Sequence, residues 1–395
     1  MVPRNSAAHL GIRIQTARAA AGLTRREVVE ASGVSLGMLR KVEAGERTPG
    51  DAVLEALARV LRTPPEELLG GPGRTNSRVH RAIPAIRDAI ASYDLPDDGP
   101  VRPYRALAAA VHATVQDRVD SEYVHLAEGT PALLGELFRA VDQAAGAERQ
   151  RAAHLLALAV RSADAVAYKY GHVDLSGRLV ELMRWASRTA GDPALAAAAA
   201  YVRTEIYFAS GQLATGLRAL RQAADRVPPP RTPRLAAASA ALHMRAAVVA
   251  GRMGDRTAAR DHLAEAGRLA AALPERLYDG TAVGPDSLQI HRLSVAVELG
   301  DPRDLGAAVG AASTWSPPLS LPAERRSHYY IDLGRAQMQL GRRRDALDSL
   351  RTARTIAPQH VREHGQVRAE LAALVRLDRG RDHQLLAYAR WVKAV

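Results

Sequence analysis

Gly22-Leu23-Thr24-Arg25-Arg26-Glu27-Val28, then Gly33-Val34-Ser35, then Leu36-Gly37-Met38-Leu39-Arg40-Lys41-Val42-Glu43-Ala44-Gly45 is the stretch that decides the fold of the N-terminal part. Thr24 followed by Glu27 is a capping-box pattern, in which each side chain satisfies a free amide of the other residue at a helix start. The helix opened there is short and ends near Ala31. Gly33-Val34-Ser35 makes the turn, and Ser35 caps a second helix that carries Leu36 to Val42. Two helices joined by a tight glycine turn are predicted.

Working outward, Ala8 to Ala21 places Leu10, Ile14 and Ala17 on one helical face and stops at Gly22, a residue that accepts left-handed φ. After Gly45 and Pro49 a further helix spans Asp51 to Leu61. Thr63-Pro64-Pro65-Glu66 repeats the capping-box pattern, with proline where its missing N–H costs nothing. Five helices therefore fill the stretch from Ala8 to Leu69.

Taken together, Leu10 to Leu69 resembles the Cro/phage-repressor (XRE) helix-turn-helix family. The resemblance rests on G-L-T-x-x-E-V, G-V-S, L-R-K-V-E-A-G-E-R-T-P and L-E-A-L-A-R-V-L. It implies that the third helix enters the major groove of double-stranded DNA, with Leu36, Gly37, Arg40 and Lys41 facing bases. It implies phosphate contact by Arg25 and backbone contact by Arg47, and an internal ion pair between Arg18 and Glu43. Arg and Lys donate to guanine N7 and O6, whereas Leu36 offers only apolar contact, for instance to a thymine methyl. Val29 and Ser32 depart from the family pattern, which has a small residue and an apolar one there, and the bulkier Val29 implies an altered helix crossing.

Composition agrees with an all-α chain. The 395 residues hold only 3 Trp, 11 Tyr and 2 Phe, and no cysteine, which excludes disulfides, thiol catalysis and Cys-bound metal. Net charge is +12, but only Lys41, Lys169 and Lys393 among the 54 basic residues are lysines. The excess is spread over both parts, 13 basic against 8 acidic residues through Arg81 and 41 against 34 beyond, so local clustering must argue for DNA. The longest apolar run, Ala194 to Val202, is far short of a membrane span, and no apolar signal core follows the first residues. A cytoplasmic protein with no membrane partner is the expectation.

Gly70 to Ser77 is a run of linker residues and the expected domain boundary. The predicted organisation is a DNA-binding domain over 1–70, a linker over 71–79, a helical connecting region over 80–147 and a helical-repeat domain over 148–395. In the connecting region, Val79 to Tyr93 reads as a helix, Asp94 to Pro103 as a loop, Tyr104 to Leu126 as one long helix and Pro131 to Ala144 as another. No stretch alternates with a strand period, and Asp94, Asp97 and Asp98 are turn formers in that loop.

Turn glycines at Gly171, Gly211, Gly254, Gly300, Gly341 and Gly380 are separated by 40, 43, 46, 41 and 39 residues, the signature of a row of helical hairpins. Ser327 to Pro358 resembles a tetratricopeptide repeat, through Tyr330, Leu333, Gly334, Ala336, Gly341, Ala346, Leu350, Ala353 and Pro358. Longer periods elsewhere predict extended connecting loops at Val227 to Pro230 and Leu273 to Pro285.

Such an α-solenoid implies a concave inner surface for a ligand. Placing the motif's inward positions on each first helix nominates Tyr168, Tyr201, Glu205, Phe208, Met244, Arg252, Ile290, Glu298, His328, Arg335 and Met338. Among these, Arg252 and Arg335 are candidates to clamp a carboxylate. The segment around Tyr388 and Trp391 is a candidate to fill the concavity. His360 and His364, with Glu363 between them, have metal-ligand spacing but lack a third ligand in sequence and read as solvated surface, so neither metal nor cofactor is expected.

Nucleotide-binding loops, the G-x-S-x-G elbow and H-E-x-x-H are all absent, and no catalytic residue is nominated. The expected function is a sequence-specific transcription regulator, resembling actinobacterial proteins that join an XRE domain to a tetratricopeptide-like array. Its partners would be a palindromic operator, a second copy of the chain and a peptide or small-molecule effector. The alternative is a repeat-protein adaptor with a vestigial or docking head.

Overall fold

In the computed structural model the described residues are 10–11, 13–15, 17–18, 21–61, 63, 65–68 and 78–395. They are almost entirely helical, and the chain divides into two compact units, residues 1–80 and 81–395. The expected helix start at Ala8 and the Gly70 to Ser77 linker lie outside the described residues.

The first unit opens with a helical segment carrying Leu10, Gly11, Ile14 and Arg18. It continues through α1 (Arg25–Ser32), α2 (Leu36–Glu43), α3 (Asp51–Val60) and the single turn α4 (Pro65–Leu68). The capping box forms: the Thr24 amide donates to Glu27 Oε2 at 2.7 Å, and the Glu27 amide to Thr24 Oγ1 at 3.3 Å. Ser35 accepts from the Met38 amide at 3.3 Å and starts α2. Leu10, Ile14, Val28, Leu39, Val42, Leu54 and Leu57 make one core. Full burial of each leucine or isoleucine there contributes about 2 kcal/mol. Val29 is half-buried at the edge of this core, and the Ser32 hydroxyl accepts from the Val34 amide at 3.2 Å.

One close approach sets the geometry. A Cβ on Gly11 would sit 2.4 Å from the Val42 carbonyl oxygen and 2.5 Å from that of Glu43. The first helical segment thus crosses the end of α2 backbone against backbone, a spacing that a side chain forbids.

α5 (Arg78–Ala91) runs across the division, and the second unit continues with α6 (Tyr104–Val119) and α7 (Tyr123–Gln143). It continues through α8 (Gly146–Lys169), α9 (Val173–Ala190), α10 (Pro193–Ser210), α11 (Leu213–Arg226), α12 (Pro233–Arg252) and α13 (Arg256–Ala270). After a hairpin of β1 (Arg276–Tyr278) and β2 (Thr281–Val283) come α14 (Pro285–Leu299), α15 (Pro302–Ala311), α16 (Ala323–Gln339) and α17 (Arg343–Ile356). The last are α18 (Pro358–Glu363), α19 (Gly365–Asp378) and α20 (His383–Trp391). From α8 onward the helices pair as antiparallel hairpins, and the six predicted turn glycines all take positive φ between their two helices. Close packing inside a hairpin is visible at Gly334, whose Cβ would lie 3.2 Å from the Ala346 carbonyl oxygen on α17.

Two expectations need correction. The helix expected over Tyr104 to Leu126 breaks after Val119, where Ser121 takes φ 66°, and its continuation runs straight through Pro131. Burial of Leu126, Leu133, Leu134, Leu137 and Phe138 on one side of α7 outweighs the roughly 3 kcal/mol that an internal proline costs. The loop expected over Leu273 to Pro285 holds the β-hairpin, with Leu277 opposite Ala282 and Tyr278 opposite Thr281. Asp279 and Gly280, at φ 47° and 74°, form the two-residue turn whose twist suits paired strands.

The array turns back on itself. α6 packs against α16. Gln359, at the start of α18, donates from Nε2 to Glu122 Oε2 at 2.9 Å and accepts the Val124 amide at 3.1 Å. Tyr388 and Trp391 do not occupy the concavity: Tyr388 is buried in the last hairpin's core, where its hydroxyl donates to the Leu350 carbonyl at 2.7 Å, and Trp391 packs beside it. Among the described residues, no helix is long and apolar enough to cross a membrane.

Candidate functional site

The first unit offers a basic helix face. Leu39 and Val42 anchor α2 in the core, which leaves Leu36, Gly37, Arg40 and Lys41 outside; Leu36 is 38% exposed, and nothing lies near the position a Gly37 Cβ would take. Arg47, in the following loop, is exposed. The buried Glu43 carboxylate accepts from Arg18 Nε at 2.7 Å and from Arg25 Nε at 2.5 Å. Arg25 therefore leans back onto the domain's own carboxylate while keeping 44% of its side chain exposed. An exposed helix with Arg and Lys on its outer face and apolar anchors behind is the geometry for entering a major groove.

The second unit carries a cavity of about 500 Å³ that is partly open to solvent. Its wall is built from one helix of each successive hairpin, α8, α10, α12, α14 and α16, and closed by α6 and the α18–α19 junction. Tyr168, Tyr201, Glu205, Phe208, Arg252 and Ile290 line it, as do Glu298, His328 and Arg335. Met244 and Met338 do not: Met244 is buried within α12's packing, and Met338 packs against the core of the last hairpin.

Arg252 and Arg335 are already occupied. Arg252 Nε lies 3.3 Å from Glu298 Oε2, Arg335 Nη1 lies 3.2 Å from Glu298 Oε1, and Arg335 also reaches Asp332 at 2.9 Å. Arg118, Arg161, Arg245 and Arg325 also line the cavity, and none of them forms an ion pair with a carboxylate among the described residues. Arg118 and Arg161 donate to backbone carbonyls of the hairpin turn, at Gly280 (2.5 Å) and Asp279 (2.6 Å). Arg245 stacks over the Tyr201 ring at 4.0 Å, and its buried Nε has no partner.

The fields in this wall are strong. Burial, reinforced by neighbouring Arg118, draws the Arg161 guanidinium below its ordinary value. Burial raises the Asp164 carboxyl well above the usual range, with Glu205 adding to it, and Glu205 itself is raised chiefly by burial. Burial would also raise the Tyr201 phenol, but Arg245, Arg325 and Arg161 outweigh it and bring the phenol down to about 8. Glu324 keeps its charge against burial because Lys169 Nζ sits 2.8 Å away. Asp164 and Glu205 are thus both shifted toward their neutral forms on a wall that also carries the guanidiniums of Arg161 and Arg245.

A helix-turn-helix domain family matches residues 9–69. The transcriptional regulator ClgR of Mycobacterium tuberculosis, in strains CDC 1551 / Oshkosh and ATCC 25618 / H37Rv, is 33% identical over 100 residues, 25% of this chain and 89% of ClgR. The chain belongs to the XRE-like helix-turn-helix transcriptional regulators. Among solved structures, Bacillus thuringiensis PlcR in complex with the peptide PapR7 and DNA aligns with a TM-score of 0.29 and 13% identity, over 67% of this chain and 94% of that one.

The regulator carries site residues that sequence reasoning missed. Arg118, Arg161, Arg245 and Arg325 look like any other arginines of an Arg-rich helix until the array folds around them. The hairpin turn that holds two of them did have a signal, since Asp-Gly between Arg276-Leu-Tyr and Thr-Ala-Val is a strong two-residue hairpin pattern. Contrary to a solvated surface, His360 is 3% exposed and His364 is half-buried on the cavity wall. α18 ends at Glu363, so His360 sits on that short helix and His364 at the bend after it, both facing His328 on α16.

Proposed function

We propose that this regulator binds a two-fold-related operator as a homodimer, and that its helical-repeat unit, tetratricopeptide-like in sequence, senses an anionic effector in the cavity. The observation that carries the sensing half is Arg245, half-buried on the cavity wall with a buried Nε that has no partner, beside a phenol drawn down to about 8 by the surrounding guanidiniums. A carboxylate on a small molecule or at the end of a short peptide satisfies that donor and the neighbouring Arg325. Tyr168 and Phe208 supply stacking surface for the remainder.

The DNA half rests on Arg40 and Lys41 on α2 as base readers, with Leu36 and Gly37 permitting close approach and Arg25 and Arg47 on the backbone. One module of this size makes a modest interface, so useful affinity needs two copies on half-sites about one helical turn apart. Effector binding acts by changing the curvature of the array and hence the separation of the two heads.

The test is DNA affinity-purification sequencing with the full-length protein beside a version lacking residues 1–70. A palindromic motif recovered only with the full chain supports the reading. Enrichment of unrelated sequences by both would overturn it. Light scattering that gives a monomer with and without the recovered operator would remove the dimer.

A further inference from the structure

His328 on α16, His360 on α18 and His364 at the α18–α19 bend each bring one ring nitrogen to within 4.8 Å of the other two. The His360 and His364 rings are stacked, 18° apart with centroids 5.3 Å from each other, and His328 faces both at 6.3 and 5.9 Å. All three border the cavity. Neither ring nitrogen of His360 has a hydrogen-bond partner, nor has Nδ1 of His364, although these atoms are buried. A buried polar atom left so is destabilising, and an arrangement that leaves several together calls for an occupant.

We propose that His328, His360 and His364 form a three-imidazole site for a divalent late transition-metal ion, zinc foremost, with a further coordination position open to the cavity. The donor set decides the class of ion. Three imidazoles suit zinc, copper or nickel, while magnesium and calcium take oxygen ligands, and a chain without cysteine has no thiolate to compete.

Burial holds all three imidazoles below their ordinary values, and Lys169 pushes in the same direction. The groups facing the cluster are balanced: Lys169 with Glu324, and Arg335 with Asp332. A supporting shell exists too. Asp332 Oδ2 lies 3.4 Å from His328 Nε2 and is fixed by the Ser294 hydroxyl at 2.5 Å, the carboxylate–imidazole arrangement that orients a metal-binding ring. With zinc–nitrogen bonds of about 2.0–2.1 Å, ligand nitrogens stand roughly 3.4 Å apart, so rotations of about 1 Å complete the site.

The site stands on its own geometry and does not depend on the effector reading. Its test is titration of untagged, chelator-treated, full-length protein with zinc and with cobalt(II), in the absence of DNA and of any effector. One equivalent should bind with a dissociation constant below about 1 μM, and cobalt should give visible absorption of four-coordinate intensity. His328→Ala and His360→Ala should each weaken zinc at least about 100-fold. His364→Gln keeps the volume of a half-buried side chain and should do the same with the helical circular dichroism unchanged. His243→Ala with His262→Ala removes the other close imidazole pair, at 2.9 Å, and should leave the titration as it was. Zinc binding weaker than about 100 μM, or one equivalent retained by the triple histidine variant, would overturn the proposal. Either result leaves the effector reading untouched.

Discussion

Arg325 Nη2 donates to the Tyr201 hydroxyl at 3.0 Å and so joins α16 to α10, two helices more than a hundred residues apart, across the wall of the cavity. With Arg245 stacked on the same ring, the pair makes Tyr201 a reporter of the cavity's field.

Arg325→Gln is expected to return the Tyr201 phenol from about 8 toward its ordinary 10.0. A folded-state value below the ordinary one means that the unfolded chain holds the proton longer, so stability rises with pH across that interval and is lost again as pH falls through about 8. Arg325→Gln should flatten this rise. Titration of phenolate absorbance, with Tyr201→Phe to assign the signal, and denaturant unfolding on both sides of the interval check it.

On the DNA side, Arg40→Ala and Lys41→Ala should each cost about 1–3 kcal/mol on the preferred site and relax its sequence. Arg47→Ala should weaken all sequences alike and lower the slope of log affinity against log salt by about 1. Competition binding at several salt concentrations separates the two classes. Equal effects of all three on every sequence would deny α2 its reading role.

Gly11→Ala forces a methyl against the Val42 and Glu43 carbonyls and should destabilise the first unit by about 1–3 kcal/mol. Thermal unfolding of the full chain should show an earlier transition accompanied by loss of DNA binding. An unchanged melt would mean that the two helices separate freely there.

Gly280→Ala places a side chain at φ 74° and 2.9 Å from Arg118 Nη2. The strain, about 1–2 kcal/mol, should loosen the hairpin turn from both arginines. Amide exchange at Thr281, Ala282 and Val283 should quicken, and unchanged protection there would show that the turn is not held by Arg118.

The sequence made the first unit readable because its information is local. Thr24 with Glu27, the turn at Gly33 and the apolar spacing of Leu39 and Val42 each act within a few residues, and each is found in place. Turn glycines such as Gly211 and Gly341 likewise mark hairpins without reference to the rest of the chain. What could not be read is what depends on closure. Arg118 and Gly280 are 162 residues apart, and His328 meets His360 only because α18 bends inward against α16. A charged residue on a helix carries no local mark that tells a solvated face from a cavity wall: the motif's inward positions single out Arg252 and Arg335, both paired with Glu298 in the fold, and pass over Arg245.

The return of Gln359 to Glu122 ties together the two ends of the stretch from α7 to α18. Open helical stacks lengthen and shorten by gain or loss of whole units, since each unit touches only its neighbours. Here a hairpin added or deleted between α10 and α16 would carry Gln359 away from Glu122 and Arg325 away from Tyr201, reshaping the cavity in the same step. That stretch of the array is free to vary its side chains but not its number of hairpins.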